Sequence, residues 1–413
     1  MTLDIDQQLE RIARGTSEIV PLAELRSKLQ RSIRDGKPLQ IKLGLDPTAP
    51  NIHLGHAIVL RKLRLFQDLG HQVTVIIGDF TAMIGDPTGR SEARKQLTPE
   101  EVAINAKTYA DQYCKILDAD RTRVAFNSEW LGKLRLNDIV NLLAKTTVAR
   151  ILERDDFDNR FKSGVPIHTH ELLYPICQAY DSVELRSDVE LGGTEQRFNI
   201  MMGRDLQRES GIEPQVALFM PLLVGLDGVD KMSKSKGNDI GIDEKPSDMF
   251  GKIMSITDEM MATYYELCTE VPLDEVAVLV DAERTHPKQA KKRLAREIIA
   301  AYHSAAAAQE ADDEFERVHG GSRGSHVETP ADTPDVVIPA DLVAGDGSVR
   351  VLAVVTAVGF AKTNSEAKRL IQEGGVSIDG RRVTEIGETI AVSPGTVLKV
   401  GKNRFARLFP PQR

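Results

Sequence analysis

Residues 39–45, Leu-Gln-Ile-Lys-Leu-Gly-Leu, alternate well enough to predict a strand. Turn formers follow at 46–51, and apolar residues then recur with helical spacing from His56 to Phe66. Residues 72–78 and 123–126 are strand-like, and the apolar run 216–223 suits a buried strand. Residues 99–117 and 138–152 are helix-like. Alternation of this kind from about 39 to 230 predicts a parallel sheet with helices on both faces, binding ligands at the carboxyl ends of its strands. Residues 1–38 read as a helical lead-in, and 241–318, rich in Ala, Glu, Lys and Leu, as a helical domain. Glycines, serines and three prolines mark 319–345 as a linker. The last module, 346–413, opens a helix at Thr363-Asn364-Ser365-Glu366, a capping box, and ends it at Gly374-Gly375. A hairpin follows, turning at Asp379-Gly380.

Composition adds a charge asymmetry. The formal net charge is −8, yet Val349 to Arg413 holds 11 Lys/Arg against 5 Asp/Glu. A basic tail on an acidic body points to a nucleic-acid-binding appendage and argues against a protein that coats nucleic acid everywhere. Three distant cysteines, Cys114, Cys177 and Cys268, fit neither a disulfide framework nor a zinc ribbon. The N-terminus has no signal-peptide pattern, and runs such as Val351 to Ala361 are too short to span a bilayer. A cytoplasmic enzyme with no membrane partner and no bound metal is expected. No G-x-G-x-x-G follows a strand, which argues against a nicotinamide cofactor.

Two short segments carry the chemistry. His53-Leu54-Gly55-His56 stands where the first strand gives way to a helix, so its imidazoles join free N–H groups and a dipole that favour phosphate. Gly55 allows close approach of a flat group. Lys231-Met232-Ser233-Lys234-Ser235 lies about 175 residues downstream on a glycine-flanked loop. Its ammonium groups suit a migrating phosphate charge. Taken singly, the first segment also fits a helix start with incidental histidines or an i,i+3 metal pair, and the second a solvated basic loop. As a pair they read as two halves of one ATP site.

These segments resemble the signatures of class I aminoacyl-tRNA synthetases. Gly44-Leu45-Asp46-Pro47-Thr48-Ala49, Ile84 to Arg90, Tyr174 to Asp181, and Gly192-Gly193-Thr194-Glu195-Gln196 narrow the likeness to the tyrosyl-tRNA synthetase family. The resemblance covers nearly the whole chain and implies an α/β fold. It would comprise a Rossmann-like catalytic domain over 1–240, a dimer-interface insertion near 120–170, the helical domain, and a C-terminal S4-like α+β RNA-binding domain. The implied partners are L-tyrosine, ATP with Mg²⁺, tRNA(Tyr) and a second copy of the chain. By resemblance, Thr48, His53 and His56 meet the phosphates, Lys231 and Lys234 clamp departing pyrophosphate, and Arg90 and Arg94 join them. Tyr174, Gln178 and Asp181 fall at i, i+4, i+7, one helix face. Asp181 would accept the phenolic proton, while Tyr174, Gln178 and Asp86 hold the α-ammonium with support from Asn127. Gln196 would orient the carboxylate and Thr81 line the pocket. Asp46, Gly44, Gly55, Gly193, Glu195, Leu222 and Leu223 would receive the nucleotide. Leaving Asp181 unpaired rejects phenylalanine; discrimination of about 10⁵-fold without editing is known of this enzyme family rather than inferred from this sequence. Lys368, Arg369, Arg381 and Arg382 are the implied RNA contacts.

The sequence departs from the better-known bacterial branch at Lys42, where that branch has a tyrosine, at Leu43, and at Glu195 in place of aspartate. It resembles a second bacterial branch, and the role of Lys42 is open. Competing readings are a tryptophanyl relative, a small nucleotidyltransferase using H-x-G-H, and a catalytically silent RNA-binding scaffold. Asp181 argues against the first, the C-terminal module against the second, and the intact motif residues against the third.

Overall fold

The computed structural model describes residues 3–46, 52–86, 98, 100–101, 104, 112–319, 330, 333–344, 348–401 and 403–411. Two compact units divide the chain, 1–305 and 306–413.

The first unit begins with α1 (Ile5–Ala13), β1 (Glu18–Val20), α2 (Leu22–Asp35), β2 (Gln40–Leu45), α3 (Leu54–Asp68), β3 (Gln72–Ile77) and α4 (Asp79–Ile84). Then come β4 (Thr122–Phe126), α5 (Ser128–Leu131), α6 (Leu136–Leu143), α7 (Val148–Leu152), α8 (Asp155–Ser163), α9 (Tyr174–Leu185), β5 (Val189–Gly193), α10 (Arg197–Glu209) and β6 (Val216–Met220). Helices α11 (Pro246–Ser255), α12 (Met261–Cys268), α13 (Leu273–Leu279) and α14 (Pro287–Tyr302) complete it.

Its sheet runs β1-β6-β5-β2-β3-β4, parallel except for β1. Chain order reverses between β2 and β5, so the connections leaving these two paired strands part and open a crevice beyond their carboxyl ends. Central strands β3 and β6 are apolar and buried nearly end to end, as a sheet covered on both faces requires. Helix α3 buries Ala57, Leu60, Leu63 and Phe66. Full burial of a side chain such as Phe66 contributes roughly 1.5–3 kcal/mol.

Two local expectations are revised. The lead-in is not all helix: β1 pairs antiparallel with β6, Ile19 opposite Leu218. Three residues between two amphipathic helices carry too little alternation to announce a strand. The helix expected over 138–152 is two helices, because Thr147 is extended and caps α7 with its side chain on the Arg150 N–H. The turn at 47–51 and most of the helix expected at 99–117 lie outside the described residues.

The second unit starts with α15 (Ala305–His319), β7 (Asp335–Val337) and β8 (Ser348–Arg350), then α16 (Val351–Ala357) and α17 (Asn364–Gln372). Strands β9 (Val376–Ile378), β10 (Arg381–Arg382), β11 (Thr389–Ala391), β12 (Thr396–Val400) and β13 (Arg404–Phe409) follow. A five-stranded sheet, β10-β9-β12-β13-β7, and the pair β11-β8 enclose a core that includes Val354, Ile371, Leu398 and Leu408. Thr363 caps α17 through the Glu366 N–H, but the Glu366 carboxylate accepts from Lys362 N rather than from Thr363, so the box is half closed. Asp379 and Gly380 both take positive φ, as a tight two-residue hairpin needs. Among the described residues no helix is long and apolar enough to cross a membrane.

Candidate active site

The crevice beyond β2 and β5 holds a cavity of about 320 Å³. Gly44 and Asp46 end β2, Gly193 ends β5, and Leu222 follows β6. Helix α9 supplies Tyr174, Gln178 and Asp181; Thr81, Asp86, Asn127, Gly55, His56, Glu195, Gln196 and Lys231 complete the predicted residues that line it.

Asp181 is buried in the wall of the cavity. Its carboxylate accepts from the Trp130 indole at 2.8 Å and from the Asn127 amide at 3.4 Å. Burial pushes its pKa up to about 7, opposed first by the Lys42 ammonium and then by these two donors. Asp46 accepts from Thr81 Oγ1 and from the Tyr174 hydroxyl, both at 2.8 Å, and burial beside Asp46 holds the Tyr174 phenol protonated. A methyl group on Gly78 would collide with Asp46 Oδ1 and Thr81 Oγ1, so the start of α4 requires glycine.

Asp86 is fixed from two sides. Arg154 reaches it at 3.2 Å and Gln196 Nε2 donates to it at 3.0 Å. Asn199 closes the belt, donating to Gln196 at 2.9 Å and accepting from Arg154 at 2.9 Å. This end of the cavity is therefore a rigid polar wall with a carboxylate at its centre.

The histidines stand at the N-terminus of α3, His53 as its cap, with the two rings stacked at 3.9 Å. Burial, with the Lys231 charge added, lowers His53 to about 4 and also lowers His56. Both are neutral near pH 7, so among the described residues that line the cavity the positive charge is that of Lys231. Leu54 N donates to Ile240 O and Ile242 N to Ile52 O, which ties the histidine turn to the chain just after the lysine loop. Asn238 braces that loop: it donates to Asp227 at 2.6 Å and accepts from Ser233 N at 2.8 Å.

Residues 34–320 match the family of tRNA synthetases class I (W and Y), and residues 349–395 match the S4 domain. The chain belongs to the class I tRNA synthetases of the W and Y family. A protein named tyrosine–tRNA ligase from Moorella thermoacetica is 54% identical over 98% of this chain and 96% of its own length. One of the same name from Carboxydothermus hydrogenoformans is 52% identical over 98% of both. The fold matches a tyrosyl-tRNA synthetase from Archaeoglobus fulgidus, solved with L-tyrosine, at a TM-score of 0.62 and 24% identity, covering 75% of this chain and all of that one. A truncated mitochondrial tyrosyl-tRNA synthetase from Coccidioides posadasii gives 0.62 at 22% identity, over 75% and 91%.

Some residues expected in the synthetase site do not line its cavity. Leu223 is buried, His53 lies behind the Gly55 backbone, and Lys42 is sealed in an ion pair with Glu190. Lys234 sits on the exposed outer part of its loop. Thr48, Arg90 and Arg94 lie outside the described residues. In the C-terminal unit, Arg382 donates to the carbonyls of Gly374 and Glu373, Arg381 pairs with Glu388, and Arg369 lies 3.8 Å from Glu373. Conversely, Trp130, Arg154, Asn199, Glu190 and Asn238 shape the site although no motif marks them in the sequence. The only tryptophan of the chain was the one available signal; the others act through partners that no local spacing reveals.

Proposed function

We propose that this chain is a tyrosine–tRNA ligase (EC 6.1.1.1). A carboxylate oxygen of L-tyrosine attacks the α-phosphorus of ATP, the bond to the β-phosphate oxygen breaks, and pyrophosphate leaves. A ribose hydroxyl at the 3′ end of tRNA(Tyr) then attacks the tyrosyl carbonyl, and AMP leaves. The first step needs little proton transfer, so positioning and electrostatics dominate.

The single observation behind the choice of tyrosine is Asp181, a buried acceptor in the cavity wall, held by Trp130 and Asn127. It takes the phenolic O–H. Tyr174, Gln178 and Asp86 hold the α-ammonium, and Gln196 orients the carboxylate toward the phosphorus. Thr81 and Asn127 support them. Asp46, Gly44, Gly55, Gly193, Glu195 and Leu222 receive the nucleoside, with the buried Leu223 backing Leu222. Thr48 and His56 meet the phosphates, with His53 stacked on the His56 ring from behind; Lys231, Lys234, Arg90 and Arg94 gather charge on pyrophosphate. Mg²⁺ enters with ATP through its phosphates. The test is ATP–pyrophosphate exchange with tyrosine, phenylalanine and tryptophan in parallel. Exchange with tyrosine alone is expected, and exchange driven by tryptophan overturns the reading.

The proposal extends to assembly. Functional boundaries fall at 1–240, 241–318, 319–345 and 346–413, with the last segment binding tRNA through Lys368, Arg369, Arg381 and Arg382. The chain works as a cytoplasmic homodimer joined through 120–170. Support comes from β4, the sheet's edge, which leaves Val124 and Phe126 exposed, and from Leu136, Val140, Val148 and Phe161, which are more than half exposed.

A further inference from the structure

Beneath the cavity lies a charge pair that the reaction as described does not use. Parallel register sets Lys42 on β2 beside Glu190 on β5, and their charges meet at 3.0 Å with both side chains almost wholly buried. Two residues further along the same strands stand Gly44 and Gly192, which line the cavity. Side chains alternate across a sheet, so each strand presents a glycine to the cavity and a charge one pleat deeper on the same face. The Glu190 carboxylate is crowded with donors: Ser182 Oγ at 3.2 Å, Gln178 Nε2 at 3.3 Å and Gln215 Nε2. Among the described residues the Lys42 ammonium, by contrast, has no well-aligned hydrogen-bond acceptor. A methyl on Gly203 would press on Ser182 and Gln215, so α10 packs tightly over the pair.

Buried ion pairs seldom repay their desolvation, so stability alone is a weak reason for this one. A reason for keeping this one lies in what it faces. Gln178 and Asp181 belong to the same helix, and Lys42 is the largest favourable influence on the Asp181 charge. We propose that Lys42 and Glu190 form a positioning pair for substrate choice, Glu190 aiming Gln178 and Lys42 setting its charge beside the buried Asp181 carboxylate. This rests on the reading of Asp181 as the acceptor for the substrate phenol. An ionised Asp181 punishes a ligand without a hydroxyl far more than a neutral carboxyl does, because a buried charge is then left unpaired. The charged and titratable groups around Asp181 are Lys42 from β2, Glu190 from β5, and Cys177 on its own helix, with Trp130 and Asn127 donating from the segment after β4.

The test compares the native chain with Lys42→Gln/Glu190→Gln, which removes both charges and orphans neither. Tyrosine-dependent pyrophosphate exchange is measured from pH 5.5 to 9, with phenylalanine alongside. In the double variant the tyrosine KM rises several-fold more than the ATP KM, and tyrosine-over-phenylalanine selectivity falls at least tenfold. The pH below which tyrosine binding weakens moves up by about one unit. A double variant that keeps native selectivity and pH profile makes the pair merely structural and overturns the proposal. Lys42→Arg, which keeps the charge, retains most of the selectivity; its loss in a well-folded Arg variant overturns the proposal too, and this variant decides the matter if the double variant does not fold. No exchange by the native chain with tyrosine is a different failure, that of the function itself.

Discussion

Asp181 and His53 titrate in opposite senses, and stability is where they can be told apart. Asp181 has a raised folded pKa, so the native state holds its proton more tightly than the unfolded chain does. Its contribution therefore weakens as pH rises from about 4 to about 7. His53 has a lowered one, so its contribution is full above pH 6.5 and is lost as pH falls toward 4. In the native chain the two trends offset each other. Asp181→Asn is expected to unfold later at pH 8, by on the order of 2 kcal/mol, with the gain fading below pH 5, while tyrosine activation falls by about 10²-fold or more. Urea midpoints across pH check the first part and pyrophosphate exchange the second. His53→Gln should flatten the acid limb between pH 6.5 and 4, by at most about 1.4 kcal/mol per unit. At this scale the sequence was legible where helix geometry did the work: i, i+4, i+7 spacing put Tyr174, Gln178 and Asp181 on one wall. Trp130 and Arg154 were illegible because each meets its partner across the fold, over separations that carry no period.

Elements were readable where a run of apolar or alternating residues marked them: β4 shows this way although mostly exposed, while the buried β5, Val-Glu-Leu-Gly-Gly, does not. Strands β3 and β6 are largely apolar because both sheet faces are covered, and β2 shows through its alternation; both patterns survive in the sequence. Strand β1 and the break before α7 depend on one partner strand and one capping threonine, which leave no periodic trace. The lysine loop is the element whose mechanics matter most to the proposed chemistry. Its ends are pinned by Asn238 on Asp227 and Ser233, and its tip, from Lys234 to Gly237, is exposed. Asn238→Ala should free the loop, lowering the exchange rate by about tenfold through poorer closure and hastening tryptic cleavage at Lys231, Lys234 or Lys236. Equal cleavage rates in variant and native chains would contradict this account of the loop.

For the whole molecule, the two units predict separable tasks. A chain ending at residue 319 is expected to retain tyrosine-dependent exchange and to lose most tRNA charging, read in parallel assays. Leu136→Glu with Val148→Glu should shift the sedimenting species from dimer to monomer, since a carboxylate at an apolar contact is costly to desolvate. The order of strands in the first sheet has a further consequence, for synthesis. The first strand made, Glu18–Val20, pairs only with Val216–Met220, nearly two hundred residues later. While the chain is emerging from the ribosome, α1 and α2 therefore wait on a strand that does not yet exist. Loop closure of that length is slow. In pulse-labelled hydrogen exchange the Ile19 amide should gain protection together with those of residues 217–219, after the pairing of β2 with β3. The beginning of this chain is among the last parts of the sheet to be seated.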